Sequence, residues 1–379
     1  MRVAFFYNAQ LHQIPHSLPM AFELSAMQGF CVDILSPYPG HLDFVREMER
    51  LYPESRVNYR LLGTAWPLRL LRKVSRVQVP PKLLTLWHNR HVFDEYDALV
   101  VTEKTSLNLK RFGVRRPKFI HTAHGAGDKG TAVERRIRKF DFVLAPGPKT
   151  AGWLAEAGLV RPGDHAVGAY AKFDMVRRMR QQPRRLFDND RPTILYNPNW
   201  DPKYASWERF GWDVLEYFAG SDRYNLVFAP HVRLFDPPTP DKYAPFARYR
   251  DLPHMLIDLG SGRSVDMTYT ISADAYLGDV SSQVYEFLLS PRPCLFLDAH
   301  GVEWQGNPRY LFWTLGPVVS DMADFGAALD SLMADPSPWR PFQEQAVAAT
   351  FDLTVAEPGR HNADVIATWL RKKVAAGKA

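Results

Sequence analysis

Cysteine and long apolar runs are scarce in this 379-residue sequence, and each scarcity excludes a class of protein. The two cysteines, Cys31 and Cys294, are too few for a disulfide framework or a cysteine metal site. Both lie in apolar stretches typical of strands, where we expect buried, reduced thiols. No apolar run reaches the roughly 20 residues that a membrane-spanning helix needs. Because a strand-like run begins at once, without a signal peptide, we expect a cytoplasmic protein.

The excess of basic over acidic side chains is also small. The sequence has 47 Lys and Arg against 41 Asp and Glu, which gives a formal net charge of +6. This excess suits a phosphate-bearing substrate or an acidic membrane face. It falls short of the basic surface expected of a whole nucleic-acid-binding domain, so we expect no nucleic-acid partner.

Short apolar runs alternate with amphipathic, helix-like segments along the chain. This alternation predicts parallel sheets whose strands are joined by crossover helices. A polar stretch at residues 177–191 interrupts the rhythm, and a new strand-like run, PTILYNPNW, restarts it. We therefore predict an α/β fold of two Rossmann-like doubly wound domains, 1–180 and 181–379, that face an interdomain cleft. The terminal helix is expected to brace the first domain.

A hydroxyl-rich turn follows the predicted strand AYLGD in the second half. Ser281 and Ser282 come directly before a predicted helix, QVYEFLL, whose positive dipole end would stabilise a diphosphate. Glu286 lies about one turn further along, where a carboxylate can accept bonds from ribose hydroxyls. The alternative is that the serines only cap the helix and Glu286 is a surface residue. We favour the nucleotide site because the turn follows the carboxyl end of a strand.

Two other predicted strands should end at the same edge of this sheet. His231 and Arg233 follow the strand YNLVFAP and would face the diphosphate. Asn197, at the end of PTILYN, would help to hold the base. An isolated histidine is more often a hydrogen-bonded structural group, but the position of His231 at a strand end favours a functional role.

A glycine-rich turn in the first half, HTAHGAGDKG, follows the predicted strand KFI. His124 stands at the strand exit, where an imidazole can take a proton from an acceptor hydroxyl near neutral pH. Lys129 would steady phosphate charge. The alternative is an ordinary strand-to-helix turn with solvated polar groups. His12 and His16, in the loop after the first strand, belong to the same sheet edge, where each is either an acceptor contact or a capping or surface histidine.

Residues 66–87 mix Leu, Val and Trp with five basic side chains. Such a segment is either a partly buried helix with a solvated basic edge or a weak contact with an anionic membrane surface. The second interpretation would place the protein peripherally at the inner face of the cell membrane. Asp188 and Asp190 are spaced like a metal-binding pair, but their polar linker predicts a turn. We predict no metal and no cofactor, since a nucleotide donor would be a substrate.

Several motifs together resemble the CDP-glycerol:poly(glycerophosphate) glycerophosphotransferase family. The resemblance extends more loosely to GT-B glycosyltransferases and non-hydrolysing UDP-N-acetylglucosamine 2-epimerases. The matching positions are the H-G-x-x-x-K turn at His124, Gly125 and Lys129, a G-x-P-R-x-D-like segment at 168–174, the histidine of an H-P motif at His231, and a D-x-S-S-x-x-x-D helix start at Asp279, Ser281, Ser282 and Glu286. Val232 replaces the proline of the H-P motif, the proline of the G-x-P-R-x-D-like segment is absent, and Glu286 replaces the last aspartate.

The resemblance implies a GT-B-like fold in which His124 is the acceptor base. It also implies that His231 and the serine turn stabilise the departing nucleotide. The chain would then move a glycerophosphoryl, related polyol-phosphate or glycosyl group from a donor such as CDP-glycerol. The acceptor would be a cell-surface polymer or lipid-linked molecule, as in teichoic acid or capsule synthesis. The alternative is a UDP-sugar 2-epimerase-like or other GT-B sugar-nucleotide enzyme, which would share the donor site; an epimerase would also need acidic groups in the cleft.

Overall fold

The chain folds into two compact α/β units. The computed structural model describes residues 1–63, 82–127, 133–180 and 185–376. The first unit contains residues 1–126 and 133–180 of the described chain together with 351–376, and the second contains 185–350. Lys129, and residues 66–81 of the proposed membrane segment, lie outside the described residues.

The first unit is built on a parallel sheet of seven strands in the order β3-β2-β1-β4-β5-β6-β7. The central strands are apolar and buried throughout most of their length, because helices cover both faces of a doubly wound sheet. The strands are β1 (Arg2–Phe6), β2 (Cys31–Ser36), β3 (Asn58–Leu61), β4 (Ala98–Val101), β5 (Lys118–Thr122), β6 (Phe142–Ala145) and β7 (His165–Val167).

The helices of this unit include two that begin with proline, whose fixed φ and missing N–H suit the first helical position. They are α1 (Leu18–Ala26), α2 (Pro39–Glu49), α3 (Lys82–His88), α4 (Arg90–Phe93), α5 (Asn108–Arg111), α6 (Pro148–Glu156) and α7 (Lys172–Arg180). Short 3₁₀ helices cover Leu11–His16, Thr105–Leu107 and Arg135–Lys139.

The second unit is built on a parallel sheet of six strands in the order β10-β9-β8-β11-β12-β13. Its strands are β8 (Thr193–Asn197), β9 (Asn225–Phe228), β10 (Met255–Ile257), β11 (Ala275–Gly278), β12 (Cys294–Leu297) and β13 (Val318–Val319). The helices are α8 (Trp207–Ala219), α9 (Pro240–Tyr243), α10 (Ala247–Arg250), α11 (Thr268–Ser272), α12 (Gln283–Phe287), α13 (Met322–Ala334) and α14 (Arg340–Thr350). Short 3₁₀ helices cover Ala244–Phe246, Gly262–Ser264, Leu311–Leu315 and Ser337–Trp339.

The last helix, α15 (Pro358–Ala376), packs against α1 in the first unit. Asn362 anchors it, because its side-chain amide donates to the carbonyl oxygen of Ala169 at 2.7 Å and its side-chain oxygen accepts from the Ala169 N–H at 2.9 Å. A Cβ at Gly168 would lie 2.7 Å from that Asn362 oxygen, so a larger residue there would displace the Asn362 amide. Among the described helices, none has the length and apolar content needed to cross a bilayer.

One cysteine expectation was wrong. Cys294 is buried in β12, but Cys31 is exposed. Cys31 is the first residue of β2 and lies at the amino edge of the sheet, where the crossover helices do not cover it. The apolar run that follows it predicted the strand correctly but not the exposure of the first residue.

Each sheet has a point at which the strand order reverses. In the first sheet this point lies between β1 and β4, and in the second it lies between β8 and β11. Ligands of open α/β sheets bind outside the carboxyl ends of the strands at such points. A ligand is therefore expected at the loops that follow these four strands.

Candidate functional site

Asp279, directly after β11, connects two loops at the carboxyl edge of the second sheet. Its fully buried carboxylate accepts hydrogen bonds from the backbone N–H groups of Asn199 at 2.9 Å and Ser206 at 2.6 Å. It also accepts one from its neighbour Val280 at 2.7 Å. Burial raises the pKa of Asp279 to about 6, and these N–H groups oppose the rise. Asp279 therefore fixes the loop after β8 beside the turn after β11.

Asn197 joins the ends of three strands in this unit. Its side-chain amide donates to the carbonyl oxygen of Ala229 at 2.6 Å, and its side-chain oxygen accepts from the hydroxyl of Tyr276 at 3.3 Å. Both polar groups of this amide are thus bonded within the protein. The predicted base contact of Asn197 stays a prediction, and its observed role is to order the sheet edge.

The serine turn differs in one respect from its prediction. The helix α12 covers only Gln283–Phe287, and the Gln283 N–H bonds the hydroxyl oxygen of Ser281 at 3.2 Å. Five residues align few peptide dipoles, so the helix contributes less positive potential than a longer helix would. The exposed Ser282 leaves a hydroxyl at the turn that an anion can reach.

Glu286 is not a surface residue. It lies within α12 and is only 5% exposed. The surface alternative for Glu286 is therefore wrong, because the face of α12 that carries it packs into the unit. Whether Glu286 meets ribose hydroxyls stays a prediction.

His231 lies in the loop after β9, beside the loop after β8. Its backbone N–H donates to the carbonyl oxygen of Pro198 at 3.0 Å, and its Nδ1 accepts from the Arg233 N–H at 3.2 Å. Since Nδ1 accepts, the neutral ring carries its proton on Nε2. Burial lowers the pKa of His231 to about 4, and the charge of Arg233 lowers it further. The ring is therefore neutral near pH 7 and presents an N–H donor.

Arg233 is exposed and lies over an aromatic ring. Its guanidinium carbon is 3.4 Å from the ring centroid of Trp200, and the Trp200 ring lies 6.3 Å from that of His231. This cation–π contact holds a positive charge at the junction of the loops after β8 and β9. The second unit thus brings the predicted residues His231 and Arg233 to one sheet edge with Asp279 and the serine turn.

His124 occupies the corresponding edge of the first sheet. Its Nδ1 lies 2.6 Å from the carbonyl oxygen of Thr102, and a carbonyl only accepts, so Nδ1 carries the proton and Nε2 a lone pair. Surrounding protein atoms desolvate the ring and lower its pKa, and Lys104 adds to this effect, although the residue keeps an exposed surface. Gly125 follows with φ of +104°, which favours glycine. His124 is therefore a neutral base at neutral pH.

Two further histidines, from the Leu11–His16 helix, lie near His124. The ring of His12 is 6.3 Å from that of His124, edge to face. His16 is buried against Tyr170, with the ring centroids 5.4 Å apart. Burial lowers the pKa of His16 well below its ordinary value, and Lys172, His124 and His12 act in the same direction. The first unit thus gathers the three histidines at one edge.

Sequence reasoning missed Asn8, the second residue after the central strand β1. Asn8 is fully buried, and neither atom of its side-chain amide has a hydrogen-bond partner. The hydroxyl of Thr122, at the end of β5, is likewise buried and unpaired. An unpaired buried polar group costs about 1–3 kcal/mol, so packing alone does not account for it. The signal in the sequence was a lone amide after an apolar run.

Within the described ranges, no three His, Cys, Asp or Glu side chains are grouped so that they could hold a metal ion. Asp190, one of the two spaced aspartates, pairs instead with Arg185.

No protein-family model and no curated protein matches the chain in sequence. Solved structures do match it in fold. A His-to-Asn variant of the wall teichoic acid polymerase TagF, soaked with CDPG, has a TM-score of 0.67 at 13% identity, covering 98% of this chain and 89% of that chain. MnaA of S. aureus with UDP has a TM-score of 0.63 at 12% identity, covering 99% and 96%. The UDP-GlcNAc 2-epimerase of Neisseria meningitidis bound to UDP-GlcNAc has 0.59 at 13%, covering 98% and 100%.

At these identities the similarity concerns the fold. The chain has the α/β architecture of GT-B-like enzymes, with two parallel sheets, as the sequence predicted. The resemblance to the glycerophosphotransferase family is confirmed in the fold by the TagF structures.

Proposed function

We propose that this chain is a transferase that moves a glycerophosphoryl, related polyol-phosphate or glycosyl group from a nucleotide-diphosphate donor to an acceptor hydroxyl. The observation that carries the proposal is the edge of the second sheet, where Asp279 and His231 tie together the loops after β8, β9 and β11. Support comes from the fold neighbours, whose structures hold CDPG, UDP or UDP-GlcNAc. CDP-glycerol is the first donor to test.

We assign the donor to this edge of the second unit. Arg233 supplies full positive charge, and the Nε2–H group of His231 and the Ser282 hydroxyl supply hydrogen-bond donors for the diphosphate. Glu286 is assigned to the ribose hydroxyls, and Asn197 shapes the base side through its loop. Because His231 is neutral, it acts as a directed donor and leaves the larger electrostatic share to Arg233.

The proposed step with CDP-glycerol is a displacement at the phosphorus of the glycerophosphoryl group. The acceptor oxygen bonds that phosphorus while the bond from it to the departing CMP breaks, and the electron pair leaves with CMP. His124 takes the acceptor proton on Nε2, since Nδ1–H already bonds the Thr102 carbonyl. That bond fixes the tautomer that the step requires. Lys129 keeps its assignment from the sequence, to the phosphate charge.

One observation favours transfer over epimerisation. Moving a sugar proton needs carboxyl groups that are available to the substrate. Glu103, the carboxylate that follows β4 on the edge of His124, instead accepts bonds from the backbone of Thr105 and from the backbone and hydroxyl of Ser106. The carboxylate of Glu103 is therefore engaged within the protein, whereas Nε2 of His124 keeps a lone pair for the acceptor proton.

We also propose that the acceptor is met at a membrane surface, at the inner face of the cell membrane. The described part of the predicted segment supports this, since Leu83, Leu84 and Trp87 of α3 are each about half exposed. Large apolar side chains on a short helix with flanking cations suit an anionic bilayer surface. Lys82, at the start of α3, adds to the lowering of the pKa of His124, so this helix begins near the proposed base.

A donor screen with product analysis tests the proposal. CDP-glycerol, CDP-ribitol, UDP-sugars and GDP-sugars are compared by thermal shift, where a ligand at 100 times its Kd should stabilise the protein by about 2.7 kcal/mol. Arg233→Ala should reduce the shift, and Arg250→Ala, an exposed cation before the start of β10, should not. Release of CMP or another nucleotide only when acceptor is present supports transfer. Epimerised donor, or no shift with any nucleotide, would refute it.

A further inference from the structure

Exposed cations crowd the amino edge of the first sheet, the edge opposite to that of His124. Six of them form what we define as the basic strip: Arg111, Arg115, Lys118, Arg135, Arg138 and Lys139. They come from two short segments that precede or flank the first residues of β5 and β6. The modest net charge of the whole chain conceals this local concentration.

Backbone and side-chain contacts join these segments into one surface. Lys110 of α5 donates to the carbonyl oxygen of Lys139 at 2.8 Å, which places the end of α5 against the Arg135–Lys139 helix. The strands β5 and β6 are neighbours, so Lys118 and Lys139 stand at adjacent strand starts. Arg138 donates to the carbonyl oxygen of Gly158 at 2.9 Å, which extends the strip towards β7.

The acidic groups at this edge are already engaged. Asp94 accepts from the backbone N–H groups of Arg115 and Arg116, and Asp97 pairs with the Arg116 guanidinium at 2.8 Å. Asp141 pairs with Lys110 at 3.1 Å. Of the six cations in the basic strip, none forms an ion pair within the described part of the chain.

The Arg135–Lys139 helix presents its charges outward for a simple reason. Its one apolar residue, Ile137, is 3% exposed and belongs to the core of the unit. The four basic residues around it therefore face solvent. Large exposed apolar side chains, Leu83, Leu84 and Trp87, belong to α3, which packs against α5 but lies outside the two segments of the basic strip. The two basic segments thus carry charge but no large exposed apolar anchor of their own, of the kind that a membrane-inserting surface uses.

We infer that the basic strip binds a linear polyanion of closely spaced phosphate groups that carries no nucleobases. A row of fixed cations without acidic partners matches closely spaced negative charges, and binding releases the counterions of the polymer. A single phosphate would meet only one or two of these side chains, whereas a chain meets several. The identity of the polymer as the acceptor rests on the proposed function, but the binding itself needs no turnover.

The test uses the whole protein and labelled inorganic polyphosphate, followed by fluorescence anisotropy at several salt concentrations. The strip variant combines Arg115→Gln, Lys118→Gln and Lys139→Gln, and the charge-matched control combines Arg50→Gln, Arg309→Gln and Arg340→Gln. The strip variant should bind about tenfold more weakly or worse, and its log–log salt slope should fall by about two, since each lost contact removes about 0.7. The control should bind like the parent protein, and all three proteins should share one unfolding temperature.

Four results would overturn the inference. Equal losses in the two variants would mean unspecific charge. Tripolyphosphate competing as well as the polymer, phosphate for phosphate, would mean a small-anion site. Single-stranded DNA binding as tightly as polyphosphate would reassign the strip to nucleic acid. Loss of binding to phosphatidylserine vesicles, with polyphosphate binding intact, would reassign it to lipid. None of these measurements depends on His124. A failure of the inferred binding can therefore be distinguished from a failure of the proposed reaction.

Discussion

At the carboxyl edge of the second sheet, the carboxylate of Asp279 and the amide of Asn197 bond neighbouring protein groups on both of their polar atoms. At the same edge of the first sheet, the amide of Asn8 is fully buried and bonds nothing in the described chain. The second edge is therefore pre-organised, as a site for a fixed donor group requires. The first edge leaves bonding capacity unused, as expected where a substrate or water completes it.

The largest expected effect is a loss of turnover without a loss of donor affinity. His124→Ala removes the proposed base and should lower kcat by roughly 10²–10⁴, the usual contribution of a positioned base. Donor affinity should be unchanged, because the donor is assigned to the other unit. Single-turnover kinetics and donor titration measure the two quantities. His12→Ala is the matched control and should cost less; weakened donor binding with retained turnover would contradict the role of His124.

Acid should weaken the first unit more than the second. Burial lowers the pKa of His41 to about 4 and that of His121 to about 3, and it lowers the pKa of His16 as well. Such rings stay neutral in the folded unit but take up protons when it unfolds. The free energy of unfolding of the first unit is therefore highest above about pH 6.5, and it decreases as the pH falls towards 4. At pH 5 the His41 and His121 rings each lower the free energy of unfolding by about 2 kcal/mol.

The second unit contains two titratable groups whose effects on its stability oppose each other as the pH falls. His231, with its pKa lowered to about 4, also weakens the fold on acidification. Asp279, with its pKa raised to about 6, acts the other way, because its folded form binds a proton more readily than its unfolded form. Hydrogen exchange at pH 7 and pH 5, read separately for the two sheets, measures the difference. Equal loss of protection in the two units would contradict it.

Asp279→Ala tests the pre-organised edge itself. It leaves the buried N–H groups of Asn199, Ser206 and Val280 without their acceptor, which should cost the second unit about 3 kcal/mol. Hydrogen exchange of the strands β8 and β11 reports the loss, and the first sheet should keep its protection. Asp222→Ala, an exposed carboxylate of the same unit, should change little. An unchanged second sheet in Asp279→Ala would show that the loops do not depend on this carboxylate.

The smallest expected effects come from two matched Asn→Leu substitutions, which should change stability in opposite directions. Asn8→Leu replaces an unpaired buried amide with a side chain of similar size and should stabilise the first unit by about 1 kcal/mol, at the expense of turnover. Asn197→Leu removes a paired amide and should destabilise the second unit by about 2 kcal/mol. Urea unfolding with unit-specific exchange measures both. Destabilisation by Asn8→Leu would mean that its amide is satisfied in solution.

The overall fold could be predicted because each kind of element has its own sequence pattern. Strands that are buried on both faces have continuous apolar sequences, whereas crossover helices have amphipathic sequences. The runs RVAFF and TILYN became the central strands β1 and β8 for this reason. The edge positions of His124 and His231 followed from the same pattern, since a residue after a parallel strand lies at its carboxyl edge. The same pattern did not predict which ring nitrogen of each histidine carries the proton.

The amino-acid sequence by itself determined which segments form the two sheets and which polar residues follow their strands, because periodicity and strand ends are local properties of the chain. Only the tertiary structure decided that His124 carries its proton on Nδ1, that α12 stops at Phe287, that Cys31 is exposed and that Asn8 has no partner. Each of these depends on atoms that come from distant parts of the chain. Hydrogen bonding and burial are set by those neighbours, which no local pattern specifies.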